Sequence, residues 1–503
     1  MFVECICIIL IVYLLYKVYN PFDFWTKLGV VQVKPMPPII SSIYGMTMSP
    51  RDGVLMAYNM FPKERFFGVY NLWRPVLCLR DPELVERVLI NDFSHLYNRS
   101  IAPDAETTAV GEQLASLTDE KWKALRNKLS PTFTTGKIKG MHEQLKKCSE
   151  SLVKYLSKRE PGESLEFKDL SSRVSMDVIA SVAFGLDLDL INNPGSEFYK
   201  IGKLAFRPSY VMKVLFLLQP FFYRFFKIIG FSMVPKSMIQ YFIDAIEETL
   251  KYRKDNDIQR QDFLHLMTEL EKKDEEQKRK GTISPGDPGF FSHKTLLSNA
   301  FAFFTGGFDT TGSALGYLFY ELAINQDEQD RIYEEIKSVV SKHDGVLTTE
   351  SVGELKLLDY ALSETLRIHP PAVGTDRVVT KPYQIPGTDI VLPVGVTISI
   401  LGYGFNLDPQ YFPEPDKFNI DRFNPENITF PKGAFIPFGD GPRRCIAERF
   451  VRYAIRVIAA DLLMNYKLMV GPKTEIPLKY DPRSFLLIPE NGVWLKVAKR
   501  GEN

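Results

Sequence analysis

Cys445 stands where a sulfur could act as a metal ligand. Ahead of it lie Phe438, Gly439, Gly441, Pro442 and Arg443, and from Ala447 onward the sequence reads as an amphipathic helix. Glycines at 439 and 441 allow backbone angles and close approaches that a Cβ would block. A loop running into a helix N-terminus aims backbone N–H groups at the sulfur and favours thiolate over thiol. By itself the pattern is more simply a glycine turn before a helix with an inert, buried cysteine, the commoner fate of a lone cysteine. Other constellations have to decide.

One of them lies upstream. Residues 295–321 form a long apolar stretch, interrupted in its middle by Gly306, Gly307 and Gly312 together with Asp309, Thr310 and Thr311. Each glycine inside a helix costs on the order of 1 kcal/mol relative to alanine, and an unpaired acid in an apolar setting is costly too. A helix written for stability alone would avoid both. Either the glycines open a groove in which Asp309 and Thr310 supply protons, or they admit a second helix at close range. Trp122 and Arg126, four apart on one helix face, offer an indole N–H and a guanidinium fork, both donors to carboxylates. As an isolated couple they are more simply a stacked surface pair. Glu364 and Arg367 pair at i, i+3, and Arg422 follows beside Phe423 in a proline-containing segment. Arg449, Arg452 and Arg456 make one basic stripe after Cys445, bordered by Arg444, Lys123 and Lys128. Such a stripe is by default a solvated face, and otherwise a docking patch for an acidic electron donor.

These residues need elements to hold them. The chain has 503 residues, 45% hydrophobic and 24% charged, an ordinary globular composition. A net charge of +1 gives no pull toward nucleic acid. The five cysteines, Cys5, Cys7, Cys78, Cys148 and Cys445, are odd in number and lack zinc-type spacing. They fit a reducing compartment, not a disulfide framework. Residues 5–16 are an uninterrupted apolar run, somewhat short of the roughly 20 that span a bilayer, which Tyr19, Phe22, Phe24 and Trp25 extend as interfacial anchors. Neither a basic start nor a small-residue cleavage site marks a signal peptide, and Lys17, Lys27 and Lys34 keep the body in the cytosol. The expected organisation is a membrane anchor over residues 1–25, a stiff proline-rich hinge over 26–40 and a catalytic domain over 41–503. Strands are expected at 67–70 and 75–79, a helix from Glu83 capped by Asp81 and Pro82, helices dominating from Trp122, and a small sheet region around 383–400. Residues 211–234 are rich in phenylalanine and broken by Pro220, so they read as core or as a second membrane contact. Residues 271–288 read as a charged, mobile linker without a buried face.

In this order the motifs resemble the signatures of the cytochrome P450 family. They are W-x-x-x-R at Trp122, [AG]-G-x-[DE]-T-[TS] at residues 306–311, E-x-x-R at Glu364, a P-x-R-F-like segment ending on Arg422 and Phe423, and F-x-x-G-x-R-x-C-x-G from Phe438, where Ala447 replaces the last glycine. The wording is most similar to microsomal, insect detoxification-type members. The resemblance implies a mainly α fold in one large domain with a small β-rich part. It also implies haem b (iron protoporphyrin IX) with Cys445 as axial iron ligand, in a loop shaped by Phe438, Gly439 and Ala447. Trp122, Arg126, Arg377 and Arg443 would hold the propionates, with Arg99 as a further candidate. Asp309 and Thr310 would relay protons, and Glu364, Arg367 and Arg422 would be structural.

The implied activity is insertion of one oxygen atom from O2 into a lipophilic substrate at the endoplasmic reticulum membrane, with the catalytic domain facing the cytosol. Electrons would come from NADPH through NADPH-cytochrome P450 reductase, with cytochrome b5 as an optional second donor and no nucleic acid involved. Segments 100–117, 204–234, 299–305, 372–376 and 484–487 would line the substrate pocket, leaving foreign toxins, fatty acids and an endogenous hormone open. His369 is expected to be structural. Two rival classes compete with this reading. A haem-thiolate isomerase or dehydratase needs no reductase, and such relatives tend to lose the acid–threonine pair kept here. A haem sensor or carrier needs neither a proton relay nor a docking stripe.

Overall fold

A computed structural model describes residues 20–34, 47–71, 74–100, 109–203 and 235–501. The expected anchor up to residue 19, residues 35–40 of the expected hinge, residues 101–108 of the first lining segment and the phenylalanine-rich residues 204–234 lie outside the described residues. Among the described residues no helix is long and apolar enough to cross a membrane.

The described strands, in chain order, are β1 (Phe66–Asn71), β2 (Arg74–Leu79), β3 (Leu165–Glu166), β4 (Thr375–Val378), β5 (Tyr383–Gln384), β6 (Val391–Leu392), β7 (Thr397–Ile400), β8 (Tyr466–Val470) and β9 (Trp494–Lys499). The helices that matter here are α1 (Pro50–Asn59), α2 (Asp119–Leu129), α3 (His142–Leu156), α4 (Phe167–Ile179), α5 (Glu197–Lys203), α6 (Lys236–Asp255), α7 (Phe263–Arg279), α8 (His293–Ile324), α9 (Gln326–Lys342), α10 (Lys356–Ile368) and α11 (Glu448–Asn465). Helix dominates and the sheets are small, as expected. The chain divides into two compact units, each assembled from separate stretches of sequence.

The first unit comprises Met1–Ser100, Val373–Pro413 and Phe430–Arg444. Its sheet has the order β1-β2-β7-β4. β1 and β2 pair antiparallel with Val69 opposite Val76, β2 runs parallel to β7, and β4 lies antiparallel to β7 with Arg377 opposite Ile398. Phe67, Leu77, Leu79, Val85, Ile398 and Phe405 fill its core. Asp81 caps the helix after β2, its carboxylate accepting from Glu83 N at 2.8 Å. Trp25, expected as an interfacial anchor, is instead fully buried in this core. Its indole N–H has found the Val69 carbonyl at 3.0 Å, and a Cβ on Gly68 would lie 2.3 Å from its ring.

The second unit comprises Ile101–Ala372, Glu414–Thr429 and Cys445–Asn503. The long helix α8 is its axis, capped by Ser292 accepting from Thr295 N at 3.1 Å. The expected interruption at the glycines does not occur: α8 runs unbroken for 32 residues. α4 packs along it because Gly307, Gly312 and Gly316 leave room. A Cβ on Gly312 would stand 2.9 Å from the Ser172 Cα, and one on Gly316 would stand 3.4 Å from the Lys168 Cα. Residues 271–288 are also more ordered than their charge suggested. α7 extends to Arg279 and presents one buried acid, Asp274, which accepts from Lys128 Nζ and, at 2.7 Å, from Phe291 N. A single buried carboxylate gives that segment the fixed face its composition concealed.

Candidate active site

In the first unit, the loop leading to Cys445 is built from backbone constraints. Gly439 and Gly441 both sit at φ +69°, a region L side chains rarely adopt. At Gly441 the demand is double, because a Cβ there would lie 1.8 Å from the Leu89 carbonyl oxygen. Asp440 caps the short turn Gly441–Arg443 by accepting from Gly441 N at 2.8 Å. The turn delivers Arg443, buried, with its Nε donating to the Tyr97 carbonyl at 3.1 Å. The Arg443 carbonyl in turn accepts from Arg99 Nη2 at 3.0 Å.

Arg377, on β4, completes this cationic group. It has no exposed surface, and Nη1 donates to the Asp376 carbonyl at 2.7 Å. Its Nε and Nη2 have no hydrogen-bond partner. Burial, reinforced by the nearby Arg99 guanidinium, pulls its pKa down to about 10. A buried guanidinium with two unspent N–H groups beside a second cation is a site for an anion.

In the second unit, Cys445 lies just before α11 and is exposed, whereas Cys78 in the first unit and Cys148 in the second are buried. Burial pushes the Cys78 thiol up to about 12 and raises that of Cys148 as well. Neither can readily offer a thiolate, so Cys445 is the candidate ligand among the described cysteines. Trp122 and Arg126 sit on α2, the indole buried and the arginine half-buried. α11 turns Phe450, Ala454, Ile455, Ile458 and Leu462 inward.

Asp309 and Thr310 lie on different sides of α8, since consecutive helical residues are about 100° apart. Thr310 is half-buried, and its hydroxyl donates to the Gly306 carbonyl at 2.6 Å. Nothing lies within 4 Å of a Cβ built on Gly306. The open side expected of the glycine segment is therefore present at Gly306 and Thr310. Asp309 instead shares the α4 side with Gly312 and Gly316. It is 5% exposed and bound through Oδ1 to Lys168 Nζ at 2.6 Å. The close approach of a second helix, one of the two alternatives read from the glycines, is present on the α4 face, while the open face carries Thr310 without Asp309.

The Glu364–Arg367 pair on α10 has no exposed side-chain surface, with two bonds at 2.7 and 2.8 Å. Glu364 Oε1 also accepts from Asn419 N at 3.1 Å and from Arg422 Nε at 3.3 Å, and Arg367 Nη1 donates to the Pro415 carbonyl at 2.7 Å. The set fastens residues 415–422 to α10. The arginine stripe does not stand free. Arg452 is spent on Glu448 and Asp359, and Arg456 is largely buried against Asp359. Lys128, of the expected border, is paired with Asp274, whereas Arg449 on α11 and the bordering Arg444 and Lys123 are exposed. Phe301 and Phe304, expected along the pocket, are buried, ringed by Phe184, Phe198 and Phe242. Sequence reading missed Lys168. A lysine in an amphipathic helix carries no signal of a buried partner over a hundred residues away.

A sequence model of the family described as Cytochrome P450 matches residues 36–495. A probable cytochrome P450 6a14 of Drosophila melanogaster is 34% identical, over 95% of this chain and 96% of its own. Cytochrome P450 6a2 of the same fly is 32% identical over 97% of each chain, and cytochrome P450 9e2 of Blattella germanica is 32% identical over 98% and 96%. The chain belongs to the cytochrome P450 family. It is therefore a haem-thiolate monooxygenase that uses haem b. The donor set fits that group: an accessible thiol, and buried guanidinium N–H groups suited to carboxylates.

Proposed function

We propose that the chain is a microsomal monooxygenase of lipophilic compounds, foreign or endogenous, fed by NADPH-cytochrome P450 reductase. In this reading the part of residues 1–25 that precedes the buried Trp25 anchors it in the endoplasmic reticulum membrane, residues 26–40 form the hinge, and the catalytic body faces the cytosol. Cys445 holds the iron as a thiolate. Arg377 and Arg443, with Trp122 and Arg126, take the propionates, while Phe438, Gly439 and Ala447 shape the loop beside the ring. When bound, the haem supplies activation of O2 and transfer of one oxygen atom to the substrate.

The chain's own contribution is to hold groups and move protons. Each turnover consumes one O2, two electrons from NADPH and two protons, and returns hydroxylated product and water. The Thr310 hydroxyl, on the open side of α8, can rotate from the Gly306 carbonyl to hold an oxygen-bearing ligand. Asp309 supplies the proton that the hydroxyl passes on.

The observation that carries this reading is Arg377, buried with two unspent N–H groups. The test is reconstitution with reductase, NADPH and a panel of lipophilic compounds. The expected result is NADPH- and O2-dependent hydroxylation, with Thr310→Ala releasing hydrogen peroxide and yielding less product per NADPH. Undiminished product per NADPH in Thr310→Ala would overturn the relay assignment.

A further inference from the structure

His369 closes α10, its backbone N–H donating to the Thr365 carbonyl at 2.7 Å, and Pro370 and Pro371 prevent the helix from continuing. The imidazole is buried and joins two other parts of the second unit. Nε2 lies 2.6 Å from Glu321 Oε1 of α8, and Nδ1 lies 2.6 Å from the Tyr480 hydroxyl. A carboxylate only accepts, so with Glu321 ionised the ring proton sits on Nε2 and Nδ1 accepts from Tyr480. The second Glu321 oxygen accepts from Asn325 Nδ2 at 3.1 Å.

Tyr480 belongs to a hairpin of residues 479–490. Asp481 N donates to the Ile488 carbonyl at 2.9 Å, Glu490 N donates to the Lys479 carbonyl at 2.8 Å, and Tyr480 faces Pro489 antiparallel. A two-stranded hairpin is marginal by itself, so its attachments to the body decide where it sits. Leu487 N donates to the Pro371 carbonyl at 2.9 Å, and the Leu487 carbonyl accepts from Tyr317 OH of α8 at 2.7 Å. The Tyr317 ring stacks on His369, with centroids 4.9 Å apart and planes at 22°. His369 therefore holds the hairpin twice, directly at Tyr480 and through Tyr317 at Leu487.

The helical repeat links this clasp to the reaction. Tyr317 and Glu321 follow Thr310 by seven and eleven residues, close to whole turns, so they share the side of α8 that carries Gly306 and Thr310. The hairpin covers that side from about 10 Å beyond Thr310. Residues 484–487, expected along the pocket, lie at its turn, and Ile488 lines a small cavity together with Phe308 and Asp309.

We propose that His369 is a positioning residue of the reaction: by fixing the turn 484–487 against α8, it sets which C–H bond of a bound substrate is presented for hydroxylation. Apolar residues of the same volume often match a buried polar set in stability. Short, directional bonds at both ring nitrogens add something else, a fixed distance and angle between α8, the end of α10 and the hairpin. This role rests on the monooxygenase reading above and goes beyond the structural one expected of His369.

The test compares Tyr480→Phe, which removes one hydroxyl, with His369→Phe, which keeps a ring against Tyr317 but neither bond, and with the double variant. Testosterone and lauric acid each offer several C–H bonds, and the ratio of their hydroxylated isomers is measured with reductase and NADPH. The ratio should shift about two- to tenfold in Tyr480→Phe, the range one hydrogen bond supplies. The double variant should shift no further than His369→Phe, since the Tyr480 hydroxyl acts only through the imidazole. Amide hydrogen exchange of the substrate-free proteins should quicken by a similar factor over residues 479–490 and stay unchanged over residues 439–445. A merely structural residue would lower the yield of folded enzyme and leave the isomer ratio alone.

The parent's isomer ratio in Tyr480→Phe overturns the positioning role, whatever the exchange shows, and additive shifts in the double variant overturn the route through Tyr480. Should His369→Phe fail to fold, Tyr480→Phe decides. If the parent hydroxylates neither probe, the monooxygenase reading fails instead. Binding of 1-phenylimidazole then replaces the isomer ratio, and equal affinity in the parent and Tyr480→Phe overturns the positioning role.

Discussion

Arg377 is costly to the polypeptide that carries it. Its charge is fully buried, one nitrogen is satisfied by Asp376 and Thr375, and the other two donate to nothing. Its depressed pKa, set by burial and then by Arg99, records the same expense. A bound carboxylate would turn the cost into a gain through charge-assisted bonds. The two effects have opposite signs, which makes them separable. Arg377→Met should leave the haem-free protein as stable as the parent or more so, read from urea unfolding. The same variant should lose about 1–3 kcal/mol of haem affinity, read as faster transfer of haem to an acceptor apoprotein. Equal haem retention in both would remove Arg377 from the propionate set. Gly441 is the other residue whose identity follows from local geometry, since both its positive φ and the Leu89 carbonyl exclude a side chain.

At the scale of elements, α8 presents two different sides. The side bearing Asp309, Gly312 and Gly316 admits α4 at near-contact distance, and the side bearing Gly306 and Thr310 stays open. The substitutions that report this are both glycine to alanine. Gly312→Ala should destabilise by about 1–3 kcal/mol, because the methyl meets backbone that cannot yield. Gly306→Ala should stabilise by up to about 1 kcal/mol through helix propensity, while narrowing the open side and lowering kcat. Thermal unfolding read beside turnover distinguishes the two faces; equal losses of stability would contradict the assignment. The two faces were not legible beforehand, because glycine reads the same whichever way it points. What was legible followed from local rules: the β1–β2 strands, the Asp81 cap, the i, i+3 pair Glu364–Arg367 and the glycine turn before Cys445. Partners distant in sequence were not. Lys168 for Asp309, Asp274 for Lys128 and Asp359 for Arg452 each need the folded chain to bring them together.

For the whole molecule, stability carries a pH signature that belongs to neither the cysteine nor the relay. His293 joins three helices, with Nε2 at 2.8 Å from Glu247 of α6 and Nδ1 at 2.8 Å from Glu271 of α7. Partial burial lowers its pKa, but the two carboxylates more than reverse this and leave it raised. A raised pKa in the folded state stabilises fully below the unfolded value of about 6.5 and ceases to do so as pH rises through the folded value. The side chain is 46% exposed, so solvent screening keeps the contribution within about 1 kcal/mol. Urea midpoints should therefore fall modestly from mildly acid to mildly alkaline pH in the parent, and that component should vanish in His293→Gln. An unchanged slope in the variant would assign the effect elsewhere.

The central claim is that Cys445, presented by a glycine turn and the start of α11, is the thiolate ligand of a haem monooxygenase. Its most direct test is the absorption spectrum of the reduced, carbon-monoxide-bound protein, taken beside Cys445→His. A strongly red-shifted Soret band in the parent, moved to the position of a histidine-ligated haem in the variant, is the predicted result. A band that is the same in both proteins, or a parent that binds no haem, would contradict it.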